Sequence, residues 1–373
     1  MADWGNIPND IATIIAEHLL FLEDFEAFGF VCSGWRTAAK QAKFRANVDI
    51  FSPSSPKPKS VWLMLPELDD TSNQRRFYSL YNRKVRTANL PLSSNPNNSD
   101  IRLLSSHGWL LSVAEDSDNL CIVNPLSNAI INLPKFRFWN HLLGGFSYYT
   151  CYGVTLFEKF ILSGNPSLSS DFTIALVLAE PYANLCCRHE IISFWRNGNH
   201  QWEPLLEDGG LDDFVNFYND IIFYKGNFYS VDDRGIIWCY ELDHSGCPHE
   251  RVVADLKTQL PDDYSPYVFE LNVDNGEAKS VPNLGDVAIF VGCNSSFSAK
   301  ASSAHGIKHN SIYFTDDYRP AHDSGRRLKS KSRGFIEMGI FSLTDENRHQ
   351  LDFVEQPHFS EYAPYMWLED PSL

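Results

Sequence analysis

The chain lacks several features that would each assign it to a class of protein. Across its 373 residues no apolar run is long enough to cross a bilayer, so we expect no membrane-spanning helix. The first ten residues, MADWGNIPND, contain neither a basic nor an apolar segment, so we expect no signal peptide. The formal net charge of −16 disfavours binding to nucleic acid and to anionic membrane surfaces, because both attract basic proteins.

The cysteines also lack the spacing of a disulfide framework. With no secretory signal, we expect reduced and mostly buried thiols in a cytoplasmic or nuclear protein. The eight cysteines stand at positions 32, 121, 151, 186, 187, 239, 247 and 293.

Motifs of common enzymes are missing as well. The sequence contains no G-x-S-x-G, no G-x-x-x-x-G-K-[ST] and no H-E-x-x-H. The best metal candidate is the set Cys239, His244, Cys247 and His249, but its C-x₄-H-x₂-C-x-H spacing matches no standard zinc site. We therefore expect no catalytic residue, no cofactor and no bound metal.

Pairs of aspartates recur along the chain and need a separate explanation. Paired carboxylates can act in acid–base chemistry or bind a cation. Asp232 and Asp233, however, precede Arg234-Gly235 in a predicted hairpin turn, where an aspartate hydrogen-bonds to its own backbone. We therefore interpret the pairs as turn residues. They stand at positions 69–70, 212–213, 232–233, 262–263 and 316–317.

Beyond residue 60 the sequence is rich in aromatic and β-branched residues arranged in short runs. Aromatic residues make up 14% of the chain, a composition that favours strands. The apolar runs are separated by turn residues and fall into six sets, most of them of three runs, at about 45–50 residues a set, as four-stranded propeller blades require. The fifth set holds YVFELNVDNG and DVAIFVGCN, and the sixth begins at SIYFTDD. We predict a mostly β protein with a propeller of about six blades, seven being the alternative.

A propeller must join its last blade to its first, because an open ring would expose an edge strand. The first predicted strand, VWLML, contains Trp62, and the end of the chain contains Trp367. We predict that residues 61–65 pair in one blade with strands from residues 335–369, which would bury both tryptophans.

The first 47 residues instead have helical periodicity. Pro8 precedes a first helix, Asp24 is the expected cap of a second helix, and Ser33 is the expected cap of a third. Three helices of this size bury little surface, so the unit needs a partner or the rest of the chain. The apolar stripe of its first part consists of Ile11, Ile14, Ile15, His18, Leu19 and Leu22.

The segment IPNDIATIIAEHLLFLEDFEAFGFVCSGWRTAA resembles an F-box. It supplies the proline, the acidic position, the isoleucine-rich helix and the Val-Cys-x-x-Trp-Arg motif of that family, while Ile7 replaces the usual leucine. The resemblance implies docking to a Skp-type adaptor and, through it, to a cullin. The alternative is that these residues form only the core of a small helical cap. The partner-binding residues that the resemblance implies are Ile7, Pro8, Ile11, Ile14, Leu22, Phe25, Val31, Cys32 and Trp35.

A second resemblance covers the remainder of the chain. SSHGWLLSV, NPLSNAIINLP, FYKGNFYSVDDRGIIWCYEL and the terminal WLEDPSL are similar to the KIB-type β-propeller of plant F-box proteins. The predicted organisation is an F-box at 1–47, a Pro/Ser-rich linker at 48–60 and a target-recognition propeller at 61–373.

These observations predict a non-catalytic substrate receptor of an SCF-type ubiquitin ligase that presents a target protein. One alternative is a propeller that binds or hydrolyses a small molecule and carries a helical cap; another is an F-box scaffold that acts outside the ligase. No motif identifies the target. The basic stretch RRLKSKSR at 326–333 fits a nuclear-import signal, a contact with an acidic partner or a solvated loop.

Overall fold

Three helices precede the strands in the part of the chain that the structure describes. The helices are α1 (Asn9–Glu17), α2 (Leu22–Val31) and α3 (Ser33–Asp49). The computed structural model describes residue 4 and residues 7–19, 22–49, 60–66, 73–91, 102–113, 120–135, 157–180, 189–205, 218–244, 246–257, 266–292, 295–301, 306–315, 338–351 and 365–369. The predicted linker therefore lies outside the described residues, except at its two ends.

The helix starts differ from the predicted caps at two of three places. α1 begins directly after Pro8, as predicted. α2 begins at Leu22, so Asp24 lies in its first turn, where an acidic residue is also favoured by the helix dipole. At α3 the backbone N–H of Trp35 donates to Cys32 Sγ at 3.5 Å, so Cys32 rather than Ser33 is the capping residue. The apolar stripe that was predicted to run from Ile11 to Leu22 therefore does not lie on one helix. It begins in α1, and its last residue, Leu22, is the first residue of α2.

The strands that follow are short and mostly antiparallel. In chain order they are β1 (Val61–Leu65), β2 (Gln74–Ser79), β3 (Val85–Asn89), β4 (Arg102–Ser106), β5 (Trp109–Val113), β6 (Leu120–Val123), β7 (Ile130–Asn132), β8 (Phe157–Leu162), β9 (Thr173–Glu180), β10 (His189–Arg196), β11 (Glu203–Pro204), β12 (Tyr218–Tyr224), β13 (Asn227–Asp232), β14 (Ile236–Leu242), β15 (Pro248–Asp255), β16 (Phe269–Leu271), β17 (Ala278–Ser280), β18 (Val287–Val291), β19 (Phe297–Lys300), β20 (Ser311–Phe314), β21 (Gly339–Ser342), β22 (Asn347–His349) and β23 (Met366–Glu369).

The strands assemble into five blades and one two-stranded ladder. Blade I has the strand order β23-β1-β2-β3, blade II is β4 to β7, blade III is β8 to β11 and blade IV is β12 to β15. Blade V has the order β19-β18-β20-β21-β22, and β16 pairs with β17. The inner strands β23, β4, β8 and β12 contact one another in that sequence, which places blades I to IV around a common axis. This arrangement is a β-propeller.

The number of blades is where the sequence prediction and the structure differ. The prediction put DVAIFVGCN in a fifth set and SIYFTDD in a sixth. In the structure the strands within these two runs, β18 and β20, pair in parallel, with Ala288 opposite Ser311, so both belong to blade V. The first run of the predicted fifth set contributes only β16 to the ladder. The described residues thus form five blades rather than six, although the mostly β propeller class is as predicted.

Large apolar side chains fill the spaces between neighbouring blades. Alternate residues of a strand point to opposite faces of its sheet. In β1, Trp62 and Met64 join a cluster with blade II, whereas Leu63 joins a cluster with blade V. Similar clusters lie between blades II and III and between blades III and IV. Every residue of β1 is buried, because both faces of its sheet are covered.

The ring closes through the two ends of the β region, as predicted. β23 is antiparallel to β1, with Trp62 opposite Leu368 and Leu63 opposite Trp367. Trp62 is 1% exposed and Trp367 is fully buried. The last described strand therefore completes the first blade.

Candidate functional site

The helical module has a core made mainly of alanine. α3 packs against both α1 and α2. Small side chains allow the helices to approach closely, but they bury little apolar area, so the module gains little stability from its own core. The core cluster consists of Ala12, Ala16, Phe28, Ala38, Ala39 and Ala42.

Four of the predicted partner-binding residues point to solvent. On α1, Ile11 is 45% exposed and Ile14 is 49% exposed. Val31, at the end of α2, is 57% exposed, and Pro8 is also exposed. Isoleucine and valine are normally among the most buried residues, so this placement leaves apolar surface available to another molecule.

The other predicted partner-binding residues support the module from within. Ile7, Phe25 and Trp35 are half-buried and pack against the alanine cluster. The ring of Trp35 stacks on Phe28 with 4.4 Å between centroids. Cys32 is half-buried and caps α3, as described above. The side chain of Leu22 lies outside the described part of the molecule, so its role stays a prediction.

Two exposed aromatic residues of the module were missed by the sequence analysis. Phe30 precedes Val31 on α2 and is 77% exposed, and Trp4 is 63% exposed. The Trp4 carbonyl accepts a hydrogen bond of 3.2 Å from Trp35 Nε1, which ties the start of the chain to α3. The available signal was the apolar run Phe28-Gly29-Phe30-Val31, which extends over more of the helix surface than the side facing the core can bury.

A hydrogen bond links the helical module to the propeller. Tyr81, in the turn between β2 and β3 of blade I, donates its hydroxyl to Asp24 Oδ2 at 2.8 Å. Asp24 therefore links the helical module to the propeller rather than capping a helix.

A charged pair occupies the axis of the propeller. Inner strands β8 and β12 each contain a bulge, and a bulge redirects the side chains beside it. Lys159 Nζ lies 3.3 Å from Asp220 Oδ1 and donates to the carbonyl oxygen of Gly292 at 2.7 Å. Lys159 is buried, so this ion pair is shielded from solvent on its cationic side.

Residues between β18 and β19 extend this polar cluster across the axis. The hydroxyl of Ser296 donates to the Asp220 carboxylate, and the backbone N–H of Ser295 donates to the Ser105 carbonyl of blade II at 3.1 Å. Glu190 of blade III accepts a hydrogen bond of 2.7 Å from the backbone N–H of Tyr218 in blade IV. Asp220 and Glu190 therefore hold blades together, which disfavours a catalytic role for these two carboxylates.

The other candidate chemical groups lie in separate places. Asp232 is buried in its hairpin and accepts hydrogen bonds from the backbone N–H groups of Arg234 and Ile236, as a turn residue does. The other aspartate pairs lie outside the described residues, as does the 326–333 stretch. Burial raises the pKa of the Cys239 thiol, and a neutral thiol is a poor metal ligand or nucleophile. Among the residues described, no three His, Cys, Asp or Glu side chains come together as a set of metal ligands.

Comparisons with known proteins agree with this architecture. The sequence pattern of the KIB1-4 beta-propeller family matches this chain over residues 77–266 and 257–342. An F-box/kelch-repeat protein of Arabidopsis thaliana is 24% identical over 334 residues, covering 84% of this chain and 83% of its own. A probable F-box protein of the same plant is 21% identical, covering 86% of this chain and 91% of its own. A putative F-box protein of the same plant is 23% identical, covering 96% of this chain and 97% of its own.

The fold and the helical module define a β-propeller protein of the plant F-box type. Because the family match spans most of the chain, the protein belongs to the KIB1-4 beta-propeller family. The predicted resemblances to an F-box and to a KIB-type propeller are confirmed. In the described part of the chain, no helix has the length and apolar character needed to span a membrane.

Proposed function

We propose that this protein is a substrate-recognition subunit of an SCF-type ubiquitin ligase. The helical module docks a Skp-type adaptor and, through it, a cullin, whereas the propeller binds a target protein. The single observation that carries the proposal is the outward placement of Ile11, Ile14 and Val31 on a module whose own core is alanine. F-box proteins are also its relatives.

The helical module and the propeller bury apolar area to different extents. A fully buried isoleucine contributes about 1.5–3 kcal/mol relative to an exposed one, so leaving Ile11 and Ile14 in water forgoes stability that the small module needs. A partner helix or groove that covers these side chains recovers it on binding. The predicted division into an adaptor-docking unit at 1–47, a linker at 48–60 and a target-binding unit at 61–373 follows from the same argument.

The propeller is suited to target recognition because its blade-connecting loops can vary without disturbing the packed clusters between blades. We assign it no catalytic role, since Asp220 and Glu190 hold blades together rather than face a ligand. Action in the cytoplasm or nucleus and the absence of a cofactor belong to the same proposal.

The test is co-purification of the full-length protein with a Skp-type adaptor. The variant Ile11→Asp/Ile14→Asp places two charges on the exposed face of α1 and should weaken adaptor binding by at least about 100-fold, because each desolvated charge costs more than about 1.4 kcal/mol. Circular dichroism should show an unchanged fold, because neither side chain belongs to the alanine cluster.

The matched control is Ile130→Asp on β7, since Ile130 is also 45% exposed but lies on the propeller. This variant should bind the adaptor as the unmodified protein does. Full adaptor binding by the α1 variant, with or without an effect of the control, would show that α1 is not the docking face.

A further inference from the structure

A cavity of about 450 Å³ lies at the seam between blades V and I. Its wall on blade I comes from β2 and the turn that follows, through Tyr78, Leu80 and Arg83. The wall on blade V comes from residues 306–309, from β20 to β22 and from Leu351. This volume lies within the range of about 300–1,000 Å³ that is typical of small-molecule sites.

The floor of the cavity is apolar. Leu80, Ile307 and Ile340 are buried residues of the cluster that joins the two blades, and each also lines the cavity. Tyr313 lines it as well. A ligand here would contact aliphatic and aromatic carbon on both sides, which favours a compact apolar body.

The rim of the cavity is basic. Arg83, Lys308 and His309 line it and are all exposed. The one carboxylate in the described lining belongs to Asp345, whose Oδ2 lies 2.9 Å from His349 Nε2. A local excess of positive charge stands out in a chain of net charge −16 and favours an anionic group at the rim.

The basic segment of the rim is held in place by its neighbours. Gly306 has φ +69°, and a Cβ at this position would overlap the carbonyl oxygen of Leu80, so the segment lies directly on the turn of blade I. The backbone N–H of Lys308 donates to the Tyr313 hydroxyl at 2.8 Å. The cavity is therefore preformed, which lowers the entropic cost of binding.

We propose that this cavity binds a small organic acid, with its apolar body against Leu80, Ile307 and Ile340 and its carboxylate at Lys308 and Arg83. The site is separate from the exposed face of α1, so it does not depend on the proposed adaptor docking. A free small molecule is favoured over a protein segment because the cavity has the volume of a small-molecule site and its walls, from two blades, meet at a short apolar floor.

The test is isothermal titration of the purified full-length protein with phenylacetate and 3-phenylpropanoate, each compared with its primary amide. The amides keep the apolar body and remove the charge. The acids should bind at least about tenfold more tightly than the amides, because a charge-assisted contact is worth about 1.4 kcal/mol or more.

Two variants of equal charge locate the binding. Lys308→Gln should weaken binding of the acids by about fivefold to tenfold and leave the amides unchanged. Lys279→Gln, on β17 away from the cavity, should change neither. Melting temperatures of both variants should match the unmodified protein, since both lysines are exposed.

Four results would overturn the proposal. One is equal affinity for acid and amide, and another is an equal effect of Lys308→Gln and Lys279→Gln. The third is the absence of acid binding at about 10 mM, a concentration at which contacts worth about 3 kcal/mol would be detected. Binding of a peptide with a C-terminal phenylalanine, while neither free acid binds, would likewise exclude a small-molecule site.

Discussion

The helical module and the propeller use apolar residues in opposite ways. The core of the module is alanine, and its isoleucines at positions 11 and 14 face water. The propeller places its largest side chains, among them Trp62, Trp109 and Trp367, in fully buried positions between blades. Of the large apolar side chains that are exposed in the described residues, five lie within the first 31 positions: Trp4, Ile11, Ile14, Phe30 and Val31.

The difference shows which part is complete without a partner. The propeller closes on itself, since β23 pairs with β1 and apolar clusters join neighbouring blades. The described residues of the module form only a small core, and their contacts with the propeller include that between Asp24 and Tyr81. We infer that stability belongs to the propeller and that binding of the adaptor belongs to the module.

Removal of residues 361–373 should have the largest effect, because it breaks the closure that distinguishes the propeller. The truncation deletes β23 and with it Trp367, and loss of a buried tryptophan alone costs about 3–5 kcal/mol. The exposed edge of β1 would then favour aggregation. Size-exclusion chromatography and thermal unfolding should show loss of the whole β region.

Removal of residues 370–373 alone is the control for this truncation, because it retains β23 entire. This shorter protein should remain monomeric. An unchanged melting temperature after removal of residues 361–373 would mean that ring closure contributes little.

The next largest effect should come from the ion pair at the axis. Lys159→Met leaves Asp220 without its buried cation, and breaking one side of such a pair costs about 3–5 kcal/mol, less here because Asp220 is partly exposed. Lys225→Met removes an exposed pair with Asp274 at 3.9 Å and should cost under about 0.5 kcal/mol. Urea unfolding of both variants measures the difference. Equal unfolding midpoints would contradict a stabilising role for the ion pair between Lys159 and Asp220.

A smaller effect should follow from overpacking the alanine core of the module. Ala38 is fully buried, so Ala38→Leu should destabilise the module by about 1–3 kcal/mol. Ile11→Ala, at an exposed position, should cost under about 0.5 kcal/mol. Limited proteolysis should cleave the first variant faster within residues 1–49 and leave the propeller intact. Equal cleavage of the two variants would show that the alanine cluster is not a packed core.

Thiol reactivity should distinguish the two parts of the hairpin in blade IV without affecting stability. Burial raises the pKa of Cys239, so less of its reactive thiolate is present at neutral pH, whereas Cys247 is exposed. Iodoacetamide followed by peptide mass spectrometry should label Cys247 first. As the pH rises toward the raised pKa of Cys239, its thiolate fraction grows, so labelling of Cys239 should increase with pH while staying slower than that of Cys247. Equal labelling of the two cysteines at pH 7 would contradict the burial of Cys239.

Several features of this fold were accessible from the sequence because they leave local patterns. The runs VWLML and the C-terminal YMWL predict strands that are apolar on both faces, and the need to close a ring predicts their pairing. The spacing of Ile11 and Ile14 predicts a helix with one apolar face. The turn role of Asp232 follows from the Asp-Asp-Arg-Gly sequence that it begins.

Other features depend on contacts between distant residues and leave no such pattern. The parallel pairing of β18 with β20, which merges two predicted sets into blade V, is not specified by either strand alone. The meeting of Lys159 with Asp220 depends on bulges in two strands that are 61 positions apart in the sequence, as their residue numbers show. The capping of α3 by Cys32 could not be predicted from the sequence either, because serine is the commoner capping residue.

Hydrogen–deuterium exchange of the full-length protein, with and without a Skp-type adaptor, tests the central claim most directly. The account predicts that the adaptor slows exchange in α1 to α3, because the exposed apolar face becomes covered and the small module is stabilised. Exchange in blades I to V should stay unchanged, since the propeller is closed without a partner. Protection that appears in the blades, or exchange in the module that the adaptor leaves unaltered, would contradict the account.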